Sequence, residues 1–168
     1  MTTKTTFTHT INCSADKLAQ LFFDPAFNTN LYNQLGSPAF AVGNRTETDT
    51  QIICAFTGKR IGGYLPPPAL QFVKNDPSYS ENIVFNKTSQ AGRSTITLSN
   101  STSPALMFYD LSIVPVSDNQ ATRILTYTIE IKMFGIGGLQ EQAFGKAFSE
   151  DADASAALIN QLLAQGTA

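Results

Sequence analysis

The 168-residue sequence predicts an α+β fold, a curved antiparallel sheet of about seven strands wrapped around one long C-terminal helix. Three observations carry this expectation. Two long segments, near 105–116 and 121–133, alternate apolar and polar residues, the mark of antiparallel strands with one buried face. After Gly138 the apolar spacing changes to three and four, the mark of a helix. No internal repeat or composition break divides the chain, so both belong to one domain, residues 1–168. The sheet's apolar face needs a cover, and this helix carries the only large apolar surface available for it.

The elements follow in order. Phe7, His9, Ile11 and Cys13 share one face, opposite Thr6, Thr8 and Thr10, which predicts a half-buried first strand. Ser14 is placed to cap a short helix running to about Phe23, with Asp16 in its first turn. Asp24-Pro25 opens a second short helix that ends before Gly36, because Asp caps well and proline is preformed for the first helical position. From Pro38 the period becomes two. Phe40 and Val42 begin one strand, Ile52, Cys54 and Phe56 mark the next, and the polar stretch 44–50 is read as their turn. Residues 58–68, rich in Gly and Pro, read as an irregular loop, and the apolar run after them as one helical turn before Pro77. A meander follows, with strands near 80–88, 93–100, 105–116 and 121–133. Met107, Tyr109, Leu111 and Ile113 lie on one face of the third. Leu125, Tyr127, Ile129, Ile131 and Met133 do so on the last. The final helix, to about residue 164, is lined by Phe144, Phe148, Ala152, Ser155, Ile159 and Leu162.

Composition narrows the function. With 11 Lys and Arg against 13 Asp and Glu, the net charge is −2, and no basic run offers a nucleic-acid footprint. The N-terminal residues have no apolar signal region and no apolar run reaches membrane-spanning length, so the expectation is a soluble, cytoplasmic protein. Cys13 and Cys54 have neither metal nor redox spacing. Two buried thiols are the expectation, and a disulfide between them stays open at this level.

The order of strand, two short helices, six antiparallel strands and one long helix resembles the START-like, helix-grip superfamily, over essentially the whole chain. That superfamily includes pollen allergens, lipid-transfer domains and aromatase/cyclase proteins. LPPPALQFVKNDPSYSENIVFNK is similar to a segment of an uncharacterised bacterial branch, with a proline-led loop, a short apolar turn and a strand opening on Glu81. IKMFGIGGLQEQAF is similar to that branch's strand-to-helix junction. Where a tryptophan is expected after Glu81, this chain has Phe85.

The junction itself, Gly135-Ile-Gly137-Gly138, raises the question of a phosphate loop. Gln140 stands where a dinucleotide fingerprint requires its last glycine, no lysine follows as in a P-loop, and no second parallel strand closes a βαβ unit. The glycines are therefore read as a sharp corner, and Glu141 as a first-turn carboxylate that disfavours an anion. Gly145, inside the helix, leaves two readings open, either close packing or a gap between helix and sheet.

The resemblance implies an internal pocket. Its walls would come from Ile11, Phe56, Phe85, Met107, Ile129, Ile131, Phe144 and Phe148, with His9, Tyr109, Tyr127 and Glu81 as the inward polar groups. Each polar group also has a structural explanation, in a hydrogen-bonded core histidine or in tyrosine hydroxyls at the wet edge of a core. One histidine excludes a multi-histidine metal centre, no G-x-S-x-G elbow is present, and no cofactor is expected. Asp110 has opposite parity to Tyr109 and is expected to point away. The function expected is binding or carrying of an apolar or lipid-like small molecule, with residues 62–77 as a lid. The alternatives are a cyclase or hydratase-like enzyme using Glu81 with His9, and a cavity-free domain that works through a protein partner.

Overall fold

The computed structural model describes residues 2–37, 39–59 and 65–166. Seven strands form one antiparallel sheet: β1 (Thr2–Ile11), β2 (Ala41–Glu47), β3 (Gln51–Lys59), β4 (Ser78–Asn86), β5 (Ala91–Leu98), β6 (Ala105–Ser117) and β7 (Gln120–Ile131). Their spatial order is β1-β7-β6-β5-β4-β3-β2, a meander whose last strand takes the first as its neighbour. The chain therefore passes from one sheet edge to the other between β1 and β2, and α1 (Ala15–Phe23) and α2 (Pro25–Gln34) make that passage. After the short α3 (Pro67–Phe72), α4 (Gly137–Ala164) closes the chain and packs on β1 and β7. This is the expected helix-grip arrangement.

Local chemistry sets the boundaries. The Ser14 Oγ accepts from the Lys17 backbone N–H at 3.2 Å and starts α1, while Asp24 Oδ1 accepts from Phe27 N at 2.6 Å and starts α2 behind Pro25. Asn28 locks the two helices together, its amide donating to the carbonyls of Leu21, Phe22 and Asp24. Cys13 and Cys54 are both buried and free, and burial raises both thiols above their ordinary pKa.

Three local readings need correction. Residues 44–47 are not part of a turn but continue β2, an edge strand with polar, exposed side chains on both faces and an irregular register between Val42 and Arg45. Alternation is lost where nothing is buried. β3 runs on through Gly58 and Lys59, paired with Tyr79 and Ser78, so the irregular segment starts later than its glycine content suggests. Glu141 lies beyond the first turn of α4, which begins at Gly137. The lid segment is described only from residue 65, and 60–64 lie outside the described residues. In its remainder Leu65, Ala69, Phe72 and Val73 are packed, at 3% exposure or less, with the Phe72 ring edge-on to Phe144 at 5.8 Å.

The glycine corner is confirmed by its geometry. Gly135 has φ +80°, and a Cβ on Gly137 would stand 2.5 Å from the Ile131 carbonyl oxygen. Gly145 is different: a Cβ there meets nothing within 4 Å, so close packing does not require the glycine. The pair gives opposite expected results in urea denaturation. Gly137→Ala loses about 1–3 kcal/mol by overpacking, and Gly145→Ala gains about 0.5–1 kcal/mol from helix propensity. Equal effects at both positions contradict this account of the corner.

Candidate functional site

Inward-facing residues of the sheet meet α4 around a polar cavity of about 60 Å³. It exceeds the roughly 10–15 Å³ that one water needs. Its wall combines Tyr79 and Glu81 of β4, Tyr109 of β6, and Arg123, Leu125 and Tyr127 of β7 with Asp151, Ala152 and Ser155 of α4. Phe22, Tyr32 and Ile96 complete it. β-Strand parity explains the convergence, because residues two apart on one strand and opposite one another on the next face the same side. Tyr109 and Tyr127 are direct cross-strand partners, with ring centroids 5.0 Å apart.

Tyr109 donates to Glu81 Oε1 at 2.5 Å. Burial first, and then the Glu81 charge, hold the Tyr109 phenol well above its ordinary pKa. A folded-state pKa raised in this way gives stability that is complete below the unfolded phenol's value of about 10 and is lost as pH rises further. In an alkaline titration followed at 295 nm, at least one of the five tyrosines is therefore expected to ionise only as the chain unfolds. Full ionisation near pH 10 with the fold intact contradicts the buried Tyr109–Glu81 pair.

Arg123 has 3% of its surface exposed. Its Nη2 donates to the Ala152 carbonyl at 2.8 Å and to Ser155 Oγ at 3.1 Å, and lies 3.4 Å from His9 Nδ1. Because Nη2 can only donate, His9 Nδ1 is the acceptor in that contact. The other ring nitrogen, Nε2, then donates to Asp153 Oδ1 at 2.8 Å. Burial draws the Arg123 pKa below its ordinary value, against opposing contributions from Tyr127, Tyr32, Tyr109 and Asp153.

Two smaller voids adjoin the polar one. One, about 10 Å³, is bordered by Leu65, Val73, Leu98, Phe144 and Phe148 and shares Tyr79 and Ile96 with it. The other, about 30 Å³, is bordered by Leu18, Leu21, Phe27, Leu31 and Ile159 and shares Phe22, Tyr32, Arg123 and Ser155. A separate groove of about 380 Å³ lies between α1 and the β2–β4 side, with Asp16, Arg45, Glu47 and Lys87 on its walls.

The residues singled out in the sequence are distributed over these features. Glu81, Tyr109 and Tyr127 border the polar cavity, and Phe144 and Phe148 the smallest void. Phe85 is buried and borders the separate groove. Ile11, Phe56, Met107, Ile129 and Ile131 are buried in the core and border none of these four cavities. His9 is partly buried at the β1–α4 contact, held by Asp153 and Arg123, and no hydrogen bond joins it to Glu81. Asp110 is turned outward as expected, bridged to Arg93 at 2.7 and 3.0 Å.

Arg123, Tyr32, Tyr79 and Asp151 border the cavity without having been singled out. Arg123 did leave a signal, a charged residue in the inward phase of β7 beside Leu125 and Tyr127. Among the described residues no group of three His, Cys, Asp or Glu is placed to hold a metal ion, and no helix is long and apolar enough to cross a membrane.

Comparison with solved structures places the fold. The aromatase/cyclase ZhuI from Streptomyces sp. R1128 is 8% identical, with 97% of this chain and 96% of that one aligned and a TM-score of 0.65. A START superfamily protein from Mycobacterium smegmatis is 13% identical over 95% and 98% of the two chains, with a TM-score of 0.57. Norcoclaurine synthase from Thalictrum flavum, in complex with dopamine and hydroxybenzaldehyde, is 13% identical over 96% and 88%, with a TM-score of 0.59. The fold is START-like, and identities this low carry the fold alone. No curated protein matches the chain. A protein family, described as "Protein of unknown function (DUF2505)", matches residues 6–163, and the chain belongs to that family.

Proposed function

We propose that this protein binds a small amphipathic molecule in the cavity between the sheet and α4, and that it carries or senses that molecule. One observation carries the reading: polar groups from β4, β6, β7 and α4 converge on a void inside an otherwise apolar core. Polar groups placed there cost stability unless they are satisfied, and a core built only for packing would fill the position with aliphatic side chains. The flanking voids supply apolar surface for the rest of the ligand, whose burial contributes roughly 25 cal/mol per Å² before the costs of binding.

Two features narrow the lipid-like expectation. The flanking voids, about 10 and 30 Å³, are too small as they stand for an extended chain. The aromatic walls, with Tyr127 stacked on Phe148 at 4.5 Å, also suit a flat or short ligand. In support, a structure of the same fold holds dopamine and hydroxybenzaldehyde. The acid–base alternative rests on a His9–Glu81 pair, and each of these residues is engaged elsewhere.

Native mass spectrometry of protein purified gently from its own host tests the proposal. A discrete excess mass that is lost on unfolding is expected. A bare chain that also takes up no small amphiphile from a mixed panel overturns it.

A further inference from the structure

Arg123 holds an interaction in the interior that the fold does not use. Its Nη2 is fixed by Ala152, Ser155 and His9, and the Ser155 hydroxyl is itself anchored to the Ala152 carbonyl at 3.0 Å, so the guanidinium plane is set. The Nε atom is buried and has no hydrogen-bond partner, and among the described residues no carboxylate pairs directly with the group. Asp153 reaches it only through the His9 ring. An arginine keeps its charge, and an uncompensated buried charge is among the costliest groups a protein interior holds. Arg123 lies in the wall of both the polar cavity and the void bordered by Leu18, Leu21, Leu31 and Ile159.

We propose that the ligand is a small organic acid whose carboxylate sits against Arg123 while its apolar body enters that neighbouring void. The inference rests on the small-molecule reading above and names the chemical class. Glu81 and Asp151 also border the polar cavity. Carboxylates in the wall repel a phosphate dianion more strongly than a monoanion.

Benzoate, benzamide and phenyl phosphate, titrated by calorimetry into the full chain, separate the outcomes. Benzoate is expected to bind about ten- to a hundredfold more tightly than benzamide, the range for a hydrogen bond to a charged group. Phenyl phosphate is expected to bind more weakly than benzoate. In Arg123→Gln the preference for acid over amide is expected to fall to within about threefold. Equal wild-type affinities for benzoate and benzamide overturn the acid and leave the binding reading standing. An acid preference that survives Arg123→Gln overturns the assignment to Arg123. If none of the three binds, the binding reading itself falls and Arg123 is satisfied by ordered water only. The wild-type comparison decides the ligand class even if the Gln variant does not fold.

Discussion

Phe148→Ala is expected to destabilise the protein by about 3–5 kcal/mol, the usual range for truncating a buried phenylalanine. At this chain length that lowers the melting temperature by roughly 6–20 °C. Phe148 is 1% exposed, stacks on Tyr127 at 4.5 Å and 15°, and meets Phe144 at 6.4 Å. It borders the smallest void, and its stacking partner Tyr127 borders the polar cavity. Its removal is expected to open space between them. The variant should therefore unfold at lower temperature and yet bind a bulkier ligand than the wild type. Differential scanning fluorimetry with and without benzoate and a bulkier aromatic acid reads both effects. A loss below about 1.5 kcal/mol would show that the sheet and α4 do not close around this ring.

Glu141→Ala is expected to cost about 3 kcal/mol, because it leaves a buried backbone N–H unsatisfied and removes two hydrogen bonds to a charged group. Glu141 has no exposed surface. One carboxylate oxygen accepts from the Ile131 backbone N–H at 3.0 Å and the other from Thr3 Oγ1 at 2.9 Å. A single side chain on α4 thus ties the end of β7 to the start of β1, at the corner built by Gly135 and Gly137. Glu141→Gln keeps an acceptor for one of the two contacts and should lose roughly half as much. Urea denaturation of the pair measures the difference. Losses within about 0.5 kcal/mol for both, as at an ordinary surface position, contradict the knot.

Much of this architecture was legible in the residues because its elements obey one period each. The alternation of Met107, Tyr109, Leu111 and Ile113, and the three-four spacing of Phe144, Phe148, Ala152, Ser155 and Ile159, are direct consequences of burial on one side. The caps Ser14 and Asp24 were legible for the same reason, since each side chain satisfies a backbone N–H close by in the chain. β2 was not, because an edge strand with both faces exposed has no apolar period to show.

The candidate site was legible only in part. Parity puts Glu81, Tyr109 and Tyr127 on the inward face, and all three border the polar cavity. Parity cannot say which inward residues end in packed core and which at a void, so Ile11, Met107 and Ile129 look equivalent to them in sequence. Tyr32 and Asp151 belong to the wall through the crossing of α2 and α4 over the sheet, a tertiary relation with no local period. Arg123 carried the clearest neglected signal, a cation in the inward phase of an apolar strand. The corresponding question for Glu141 is what it neutralises or bonds, and the answer lies in β1, some 138 residues away.

On the proposed function, a small molecule binds in the polar cavity beneath α4 and not in the larger groove beside α1. A ¹H–¹⁵N correlation spectrum of the labelled protein titrated with benzoate tests this most directly. The account predicts the largest saturable shifts at the amides of Tyr109, Arg123, Tyr127, Ala152 and Ser155, with little change at Asp16, Arg45 or Lys87. Saturable shifts confined to Asp16, Arg45, Glu47 and Lys87, or no saturable shifts at all, would contradict it.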